Sequence, residues 1–182
     1  GCIITNDDEL AEKVRLFANH GALIKHQHKI EGINSRLDGM QAAILSAKLP
    51  HILKWSENRL NIAKLYNNHL TINGKVIPPK ILPNVKHVFH LYVVRVDNRN
   101  ALQKFLKENG ISTGIHYPTP LPFLDAYKYL NHYPKDFPVA YDYKDNILSL
   151  PIFPELDENR IQYVVEKIME FHAKMSPTRR RI

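Results

Sequence analysis

The chain has 182 residues, of which 44% are hydrophobic and 24% are charged, and these are ordinary values for a globular protein. The composition excludes a disordered, collagen-like or coiled-coil chain, and no apolar run reaches the ~18 residues that a membrane span needs. Lysine and arginine number 25 against 18 aspartates and glutamates, which gives a net charge of +7. The single cysteine, Cys2, allows no internal disulfide and favours a reducing, cytoplasmic location.

Most of the excess positive charge lies in a short tail, residues 174–182. The tail carries four basic residues and no acidic one, so residues 1–173 have a net charge of only +3. Proteins that bind nucleic acids concentrate basic side chains on a folded surface or along a helix. The charge pattern therefore argues against a nucleic acid as the partner.

The first 50 residues are predicted to be mainly helical. Thr5 or Asn6 is expected to cap a helix, because carboxylates follow at once and interact favourably with the helix dipole. Leu10, Val14 and Phe17 recur on one face of this helix and are expected to be buried. The expected elements are a strand over 2–5, a helix from 6 to about 20, a polar irregular stretch over 21–35 and a helix over 37–49.

The strand expected over 2–5 has no neighbouring strand in the sequence, because a helix follows it immediately. Buried backbone groups need hydrogen-bond partners, so we predict that the partner strand lies outside this sequence and that the chain is a fragment. Cys2 is expected to be an inert thiol buried within this strand.

The rest of the chain predicts a long helix followed by a compact α/β piece, with the boundary somewhere over 50–86. The clearest strand covers 88–96, where apolar side chains occupy both faces. The expected elements are a helix over 51–70, a proline-rich connection over 76–86, strands over 88–96, 111–115 and 146–150, helices over 100–108, 122–130 and 137–146, and a last helix from about 157.

A polar cluster over 32–38 stands before the second helix. Asn34 and Ser35 have side chains that commonly cap helices, and capping alone would explain both residues. A helix start beside Arg36 is also suited to an anion, because free N–H groups and a guanidinium bind phosphate and carboxylate. The residues by themselves leave both interpretations open.

A second cluster, over 114–120, contains Gly114, His116 and Tyr117 together with two prolines. Glycine permits an unusual backbone, and prolines stiffen the loop that follows. A histidine and a tyrosine in this position suit contact with a ligand, whereas the simpler interpretation is an ordinary surface pair. We expect a turn at Tyr117 and Pro118, with His116 the more pocket-facing residue of the pair.

Ten histidines raise the question of a metal site. His26 and His28 form the best local pair, but they lack a cysteine partner, a His-Glu-x-x-His helix and a nearby pair of carboxylates. We therefore expect no metal site. The chain also lacks a Walker loop and a Gly-x-Gly-x-x-Gly motif, so we expect no self-contained nucleotide site.

Six short segments carry a more specific signal. They are Cys2-Ile3-Ile4-Thr5-Asn6-Asp7-Asp8-Glu9-Leu10-Ala11-Glu12-Lys13, Asn19-His20-Gly21, Gly32-Ile33-Asn34-Ser35-Arg36-Leu37-Asp38, His90-Leu91-Tyr92-Val93, Gly114-Ile115-His116-Tyr117-Pro118 and Leu148-Ser149-Leu150-Pro151-Ile152-Phe153-Pro154. In this order they resemble the C-terminal half of the DegT/StrS family of sugar aminotransferases. These are pyridoxal 5'-phosphate (PLP) enzymes of fold type I. The resemblance covers about residues 1–173.

The resemblance implies a homodimeric enzyme that moves an amino group from glutamate to a keto-sugar attached to a nucleoside diphosphate. The products would enter surface polysaccharides or glycosides. It also implies that Asn34 matches a position that reaches the PLP phosphate of the other subunit. The substrate-binding residues that it implies are His26, His28, Arg36, His116 and Tyr117.

The implied architecture is α/β: the mainly helical end of the fold-type-I large domain, then a small domain with a short, mostly antiparallel sheet. The implied parts are the large-domain end over 1–50, a long helix and linker over 51–86, the small domain over 87–173 and a basic tail over 174–182.

The resemblance places no catalytic residue in this chain, because the lysine that forms the Schiff base with PLP lies upstream of the position matching Gly1. We therefore expect the chain to be inactive alone. Two alternatives stay open. One is a sugar dehydratase from the branch of the family in which histidine replaces that lysine, and the other is a non-catalytic module for dimerisation or regulation.

Overall fold

The computed structural model of the chain describes residues 2–71 and 74–175. They belong to two compact units, Gly1–His51 and Ile52–Ile182. Residues 176–182 of the expected basic tail lie outside the described residues. Within the described part of the chain, none of the helices combines the length and the hydropathy that a membrane span requires.

The first helix, α1 (Asp8–Ala18), is capped by Asp7, whose carboxylate accepts a hydrogen bond from the Leu10 N–H at 3.0 Å. The prediction that Thr5 or Asn6 is the cap was therefore wrong. The Thr5 hydroxyl oxygen accepts from the Asp7 N–H at 3.0 Å, so it holds the capping residue instead. An acidic cap and an acidic first turn both favour this helix start.

The second helix, α2 (Gly39–Lys48), begins later than expected and is capped by Asp38. The Asp38 carboxylate accepts from the N–H three residues further on at 2.9 Å. Asn34 and Ser35 are therefore not its caps, because two loop residues, Arg36 and Leu37, still separate Ser35 from the capping residue. A 3₁₀ turn over Leu49–His51 follows the helix and ends the first unit.

The first unit buries few apolar side chains, and its buried hydrophobic residues at described positions are Leu16 and Ala22. The strand expected over 2–5 is not formed, because no described segment pairs with these residues. Cys2, which was expected to be buried, is exposed. Exposed apolar side chains of this unit include Ile3, Ile4, Leu10, Phe17, Met40 and Leu49. The helix face that the periodicity predicted to be buried is therefore mostly open.

The second unit combines helices with a three-stranded sheet. Its helices are α3 (Ile52–Leu70), α4 (Arg99–Glu108), α5 (Pro138–Tyr143) and α6 (Glu158–Met175), and its strands are β1 (Val76–Ile77), β2 (Tyr92–Val96) and β3 (Ile147–Leu150). The strand order is β1-β2-β3, with Val76 opposite Val96 and Tyr92 opposite Leu150. Both pairs are antiparallel, which confirms the expected short antiparallel sheet.

The core of this unit lies between the helices and one face of the sheet. Alternate residues of β2 (Tyr92, Val94 and Val96) are buried, and α6 packs against both α3 and α4. The helices contribute apolar side chains at helical spacing, as their amphipathic sequences predict. The buried residues of α6 are Ile161, Val164, Val165, Ile168 and Phe171. The opposite face of the sheet, which carries Val93 and Ser149, belongs to the candidate site.

Four sequence predictions for the second unit need correction. The strand expected over 88–96 begins only at Tyr92, because Phe89 has a positive φ of 46° and interrupts the alternation. Residues 111–115 form one isolated bridge, from Gly114 to Ser149, instead of a strand. The connection expected over 76–86 contains β1. The helix expected over 122–130 is replaced by 3₁₀ turns over Leu121–Phe123 and Asp125–Leu130. A further 3₁₀ turn covers Pro134–Asp136.

Candidate functional site

In the first unit, the loop over 29–35 is fastened to the end of α1 by backbone hydrogen bonds. The Ile33 N–H donates to the Phe17 carbonyl at 2.8 Å, and the Ser35 N–H donates to the Ala18 carbonyl at 2.9 Å. These bonds lie on either side of Asn34. They fix the backbone from which the Asn34 side chain projects.

Two glycines allow this close approach. Gly21 has a φ of +74°, and a Cβ atom there would lie 1.7 Å from the Ile30 carbonyl oxygen. A Cβ atom on Gly32 would lie 2.3 Å from the Gly21 nitrogen and 2.6 Å from the Phe17 carbonyl oxygen. Both obstacles are backbone atoms, so neither position accepts a side chain without moving the loop.

Asn34 and Arg36 lie together on this loop. The Arg36 Nε–H donates to the Asn34 Oδ1 at 3.2 Å, which leaves the Asn34 amide nitrogen as a donor. Within the described residues, that nitrogen makes no hydrogen bond. An open cavity of about 480 Å³ is lined by Asn34, Arg36, Leu37, Asp38 and Gln41. We call it the Asn34 cavity.

The donors of the Asn34 cavity fit a phosphate group. An amide NH₂ and a guanidinium are both donors, and charge-assisted bonds from arginine to phosphate are among the stronger hydrogen bonds in proteins. The neighbouring Asp38 carboxylate accepts from the backbone N–H of Gln41. Because Asp38 caps α2, helix capping does not explain Asn34. The interpretation of Asn34 as a helix cap alone is therefore excluded.

His26 and His28 lie on the exposed loop of the first unit. His26 has a φ of 65° in the turn closed by Ile24 and Gln27. The His28 Nδ1 lies 2.8 Å from the His20 carbonyl oxygen, so the nitrogen carries the hydrogen and donates it. Among the described residues, no three His, Cys, Asp or Glu side chains converge in a way that could hold a metal ion.

The second unit brings His116 and Tyr117 to a cavity of about 680 Å³, which we call the His116 cavity. It lies beside the sheet face that carries Val93 and Ile147. Its walls are mostly apolar, with few polar groups. The remaining residues that line it are Pro118, Thr119, Pro120, Leu121, Leu124, Ala140, Tyr143 and Lys144. An apolar cavity with few polar groups is the usual form of a small-molecule site.

The His116 ring is held from two sides. Its Nδ1 lies 2.8 Å from the Ser149 Oγ, and its Cε1 lies where a Cβ of Gly114 would be only 2.7 Å away. His116 is half-buried, whereas Tyr117 is 68% exposed, and the peptide bond between them is cis. His116 is thus the less exposed member of the pair, and both line the same cavity.

The sequence interpretation missed two parts of this site. Ser149 is a hydroxyl in an otherwise apolar, buried strand, and this contrast was the signal that could have identified it. Tyr143 lines the cavity because the Arg95 guanidinium on β2 donates to its hydroxyl at 2.8 Å, across 48 residues. No local sequence pattern predicts the contact between Arg95 and Tyr143. The predicted site residues thus fall into two groups, one in each unit.

Known proteins supply an independent comparison. The sequence model of the DegT/DnrJ/EryC1/StrS aminotransferase family matches residues 1–169. A Geobacillus stearothermophilus "pleiotropic regulatory protein" is 48% identical over 94% of this chain and 47% of its own length. The dTDP-3-amino-3,6-dideoxy-alpha-D-galactopyranose transaminase of Aneurinibacillus thermoaerophilus is 38% identical over 94% of this chain and 46% of its own length.

Solved structures of the same family resemble the chain as well. The crystal structure of S. venezuelae DesV in complex with a ketimine intermediate has a TM-score of 0.86 and 35% identity, and the match covers 92% of this chain and 45% of that one. An aminotransferase of the same family from Brucella abortus has a TM-score of 0.83 and 35% identity, over 93% and 45% of the two chains. The chain thus spans about half the length of the relatives that it matches. It belongs to the DegT/DnrJ/EryC1/StrS aminotransferase family, whose members have fold type I and depend on PLP.

Proposed function

We propose that the chain forms the C-terminal half of a PLP-dependent aminotransferase that moves an amino group from glutamate to a nucleoside-diphosphate keto-sugar. Such a product serves the biosynthesis of surface polysaccharides or glycosides. The proposal rests chiefly on the family match over residues 1–169 and on relatives named as transaminases of dTDP- and UDP-linked sugars. In this reading, the first unit ends the large domain and the second unit is the small domain.

Asn34 and Arg36 would hold the phosphate of PLP. When bound, PLP supplies an electron sink for the carbon that loses or gains the amino group. The Asn34 amide nitrogen would donate a hydrogen bond to a phosphate oxygen, while Arg36, which donates to the Asn34 Oδ1, orients that amide and would add positive charge. The two backbone bonds that flank Asn34 set this donor in place before the cofactor arrives.

The proposed substrate-binding residues are His116 and Tyr117 in the second unit and His26, His28 and Arg36 in the first. His116 and Tyr117 offer polar groups at a mostly apolar cavity, which suits a sugar with polar edges and apolar faces. His26 and His28, on the exposed loop of the first unit, and Arg36 would contact the sugar nucleotide. His28 keeps its Nε2 for this contact, because its Nδ1 is committed to the His20 carbonyl.

We propose that the protein is a cytoplasmic homodimer. The first unit exposes apolar side chains that a stable surface rarely leaves open, including Ile4 at 92% and Met40 at 77%. The other half of the enzyme and a partner subunit would cover them. This openness also argues against the first unit as an independent module, since its buried apolar side chains at described positions are only Leu16 and Ala22.

A regulatory role is the second candidate, and the name of the Geobacillus stearothermophilus relative favours it. The two candidates differ in one measurement. Full-length protein that converts a nucleotide-linked keto-sugar and glutamate into an amino sugar is an aminotransferase. Protein that binds PLP but lacks this turnover would support the regulatory role.

Replacing Asn34 by alanine in the full-length protein is expected to raise the dissociation constant of PLP by about ten- to a hundredfold. A hydrogen bond to a charged group contributes about 1.5–3 kcal/mol, and each 1.4 kcal/mol is about a factor of ten. The melting temperature without PLP should stay unchanged, since Asn34 caps no helix. PLP titration and thermal unfolding measure the two quantities.

Asp38→Ala is the matched control, because this residue does cap α2. It should lower the free energy of unfolding by about 1 kcal/mol. An Asn34→Ala protein with normal PLP affinity and a lowered melting temperature would contradict the cofactor role.

Replacing His116 by alanine is expected to slow the half-reaction with the sugar nucleotide by about tenfold or more, which corresponds to one lost hydrogen bond. The half-reaction with glutamate should change by less than about twofold, because the amino donor is small and lies at the cofactor. Single-turnover measurements follow the two half-reactions separately. Equal losses in both would mean that His116 shapes the cofactor site or the fold.

A further inference from the structure

Ser149 stands at an unusual place in the second unit. It is the only polar residue of β3, it is 4% exposed, and its backbone pairs on both sides. On one side it faces Val93 of β2, and on the other it exchanges two backbone hydrogen bonds with Gly114, at 2.8 and 3.1 Å. The two backbone hydrogen bonds between Ser149 and Gly114 therefore fix both the position of the Ser149 hydroxyl and the start of the chain that leads to His116.

The His116 ring lies against the paired backbone of Ser149 and Gly114. Its Nδ1 is 2.8 Å from the Ser149 Oγ, and its Cε1 occupies space that the missing Cβ of Gly114 leaves open. The ring of Tyr117 meets it edge-on, with 5.4 Å between the ring centroids. Three neighbours thus restrict the ring, and one of them makes a polar contact with a single ring nitrogen.

The direction of that hydrogen bond follows from burial. Within the described residues, His116 is the hydrogen-bond partner of the Ser149 hydroxyl, which has no second acceptor. If the Nδ1 carried the ring hydrogen, the buried hydroxyl hydrogen would have no acceptor, which is unfavourable. The favourable arrangement therefore has the Ser149 hydroxyl donating to an unprotonated Nδ1. In the neutral ring, the hydrogen is then on the Nε2.

We propose that Ser149 is a positioning residue that holds His116 in the Nε2–H tautomer, so that the His116 cavity offers its ligand a hydrogen-bond donor. The ligand atom that this donor fits is an oxygen acceptor, such as a hydroxyl, carbonyl or phosphate oxygen. Its identification with an oxygen of the sugar nucleotide rests on the proposed function. The tautomer itself does not, because it follows from contacts within the second unit.

The first test is a nitrogen-15 NMR measurement on the 182-residue chain with labelled histidines. It is made at about pH 8.5, two units above the ordinary histidine pKa of about 6.5. The His116→Gln variant assigns the signals by their loss. We expect one tautomer at His116, with a protonated Nε2 and an unprotonated Nδ1. Ser149→Ala should give averaged shifts of exchanging tautomers, whereas Ser112→Ala, at an exposed serine, should leave the shifts unchanged.

A hydrogen on the Nδ1 of the unaltered chain, or the same single tautomer in Ser149→Ala, would overturn the proposal.

The second test uses the full-length protein. Ser149→Ala should raise the KM for the sugar nucleotide about tenfold, as the loss of one hydrogen bond predicts, with the glutamate half-reaction within about twofold. Absence of all aminotransferase activity in the unaltered protein would defeat the proposed function alone. An unchanged KM beside an altered tautomer would defeat the proposed link to the substrate.

Discussion

The Tyr66→Ala variant is expected to lose about 3–5 kcal/mol of the free energy of unfolding, because truncating a buried aromatic ring removes its contacts and leaves a cavity. Tyr66 is fully buried on α3, and its ring stacks on that of Tyr92 with centroids 4.9 Å apart. Its hydroxyl donates to the Pro151 carbonyl at 3.0 Å. Burial raises the pKa of both tyrosines, so both remain neutral in the core. Urea unfolding followed by near-ultraviolet circular dichroism measures the loss.

Two further variants separate the ring from its hydroxyl. Tyr66→Phe keeps the ring and should lose about 1–3 kcal/mol, because the Pro151 carbonyl is left without its donor. Tyr129→Ala removes a tyrosine that is 73% exposed and should change the free energy by less than about 0.5 kcal/mol. A Tyr66→Ala protein as stable as Tyr129→Ala would show that the assigned core of the second unit is wrong.

The Gly21→Ala variant is expected to detach the loop over 29–35 from the end of α1. The new Cβ would lie 1.7 Å from the Ile30 carbonyl oxygen, and the positive φ of 74° adds about 1–2 kcal/mol of strain for a residue other than glycine. Hydrogen exchange at the Ile33 and Ser35 amides should accelerate by about tenfold or more, since each tenfold corresponds to about 1.4 kcal/mol. PLP affinity should fall as well, because Asn34 lies on this loop.

Two glycines serve as matched controls for this prediction. Gly110 also has a positive φ, of 76°, but has open space around it, so Gly110→Ala isolates the strain from the clash. Gly39 lies in α2 with open space and no positive φ, and Gly39→Ala should stabilise by up to about 1 kcal/mol. If the Ile33 and Ser35 amides exchanged equally fast in Gly21→Ala and Gly110→Ala, the predicted clash between residue 21 and the Ile30 carbonyl would be wrong.

Local sequence signals determined much of the fold. The periodic sequences of α4 and α6 predicted the helices over 100–108 and from about 157, since periodicity depends only on residues a few positions apart. Gly110 after α4 and the acidic first turn of α1 likewise reflect requirements of the local backbone. The six motifs identified the family, which the comparisons confirm. The roles assigned to Asn34, His116 and the other site residues stay predictions.

Only the tertiary structure decided the remaining features, because they depend on residues that are distant in the sequence. The Ser149 contact with His116 spans 33 residues and exists because Gly114 pairs with β3. Asp38 takes the capping role from Asn34 because the Ser35 N–H bonds to the end of α1, so the helix begins later. The apolar face of α1 is periodic yet exposed, since periodicity indicates that a face can be buried but does not supply the surface that covers it.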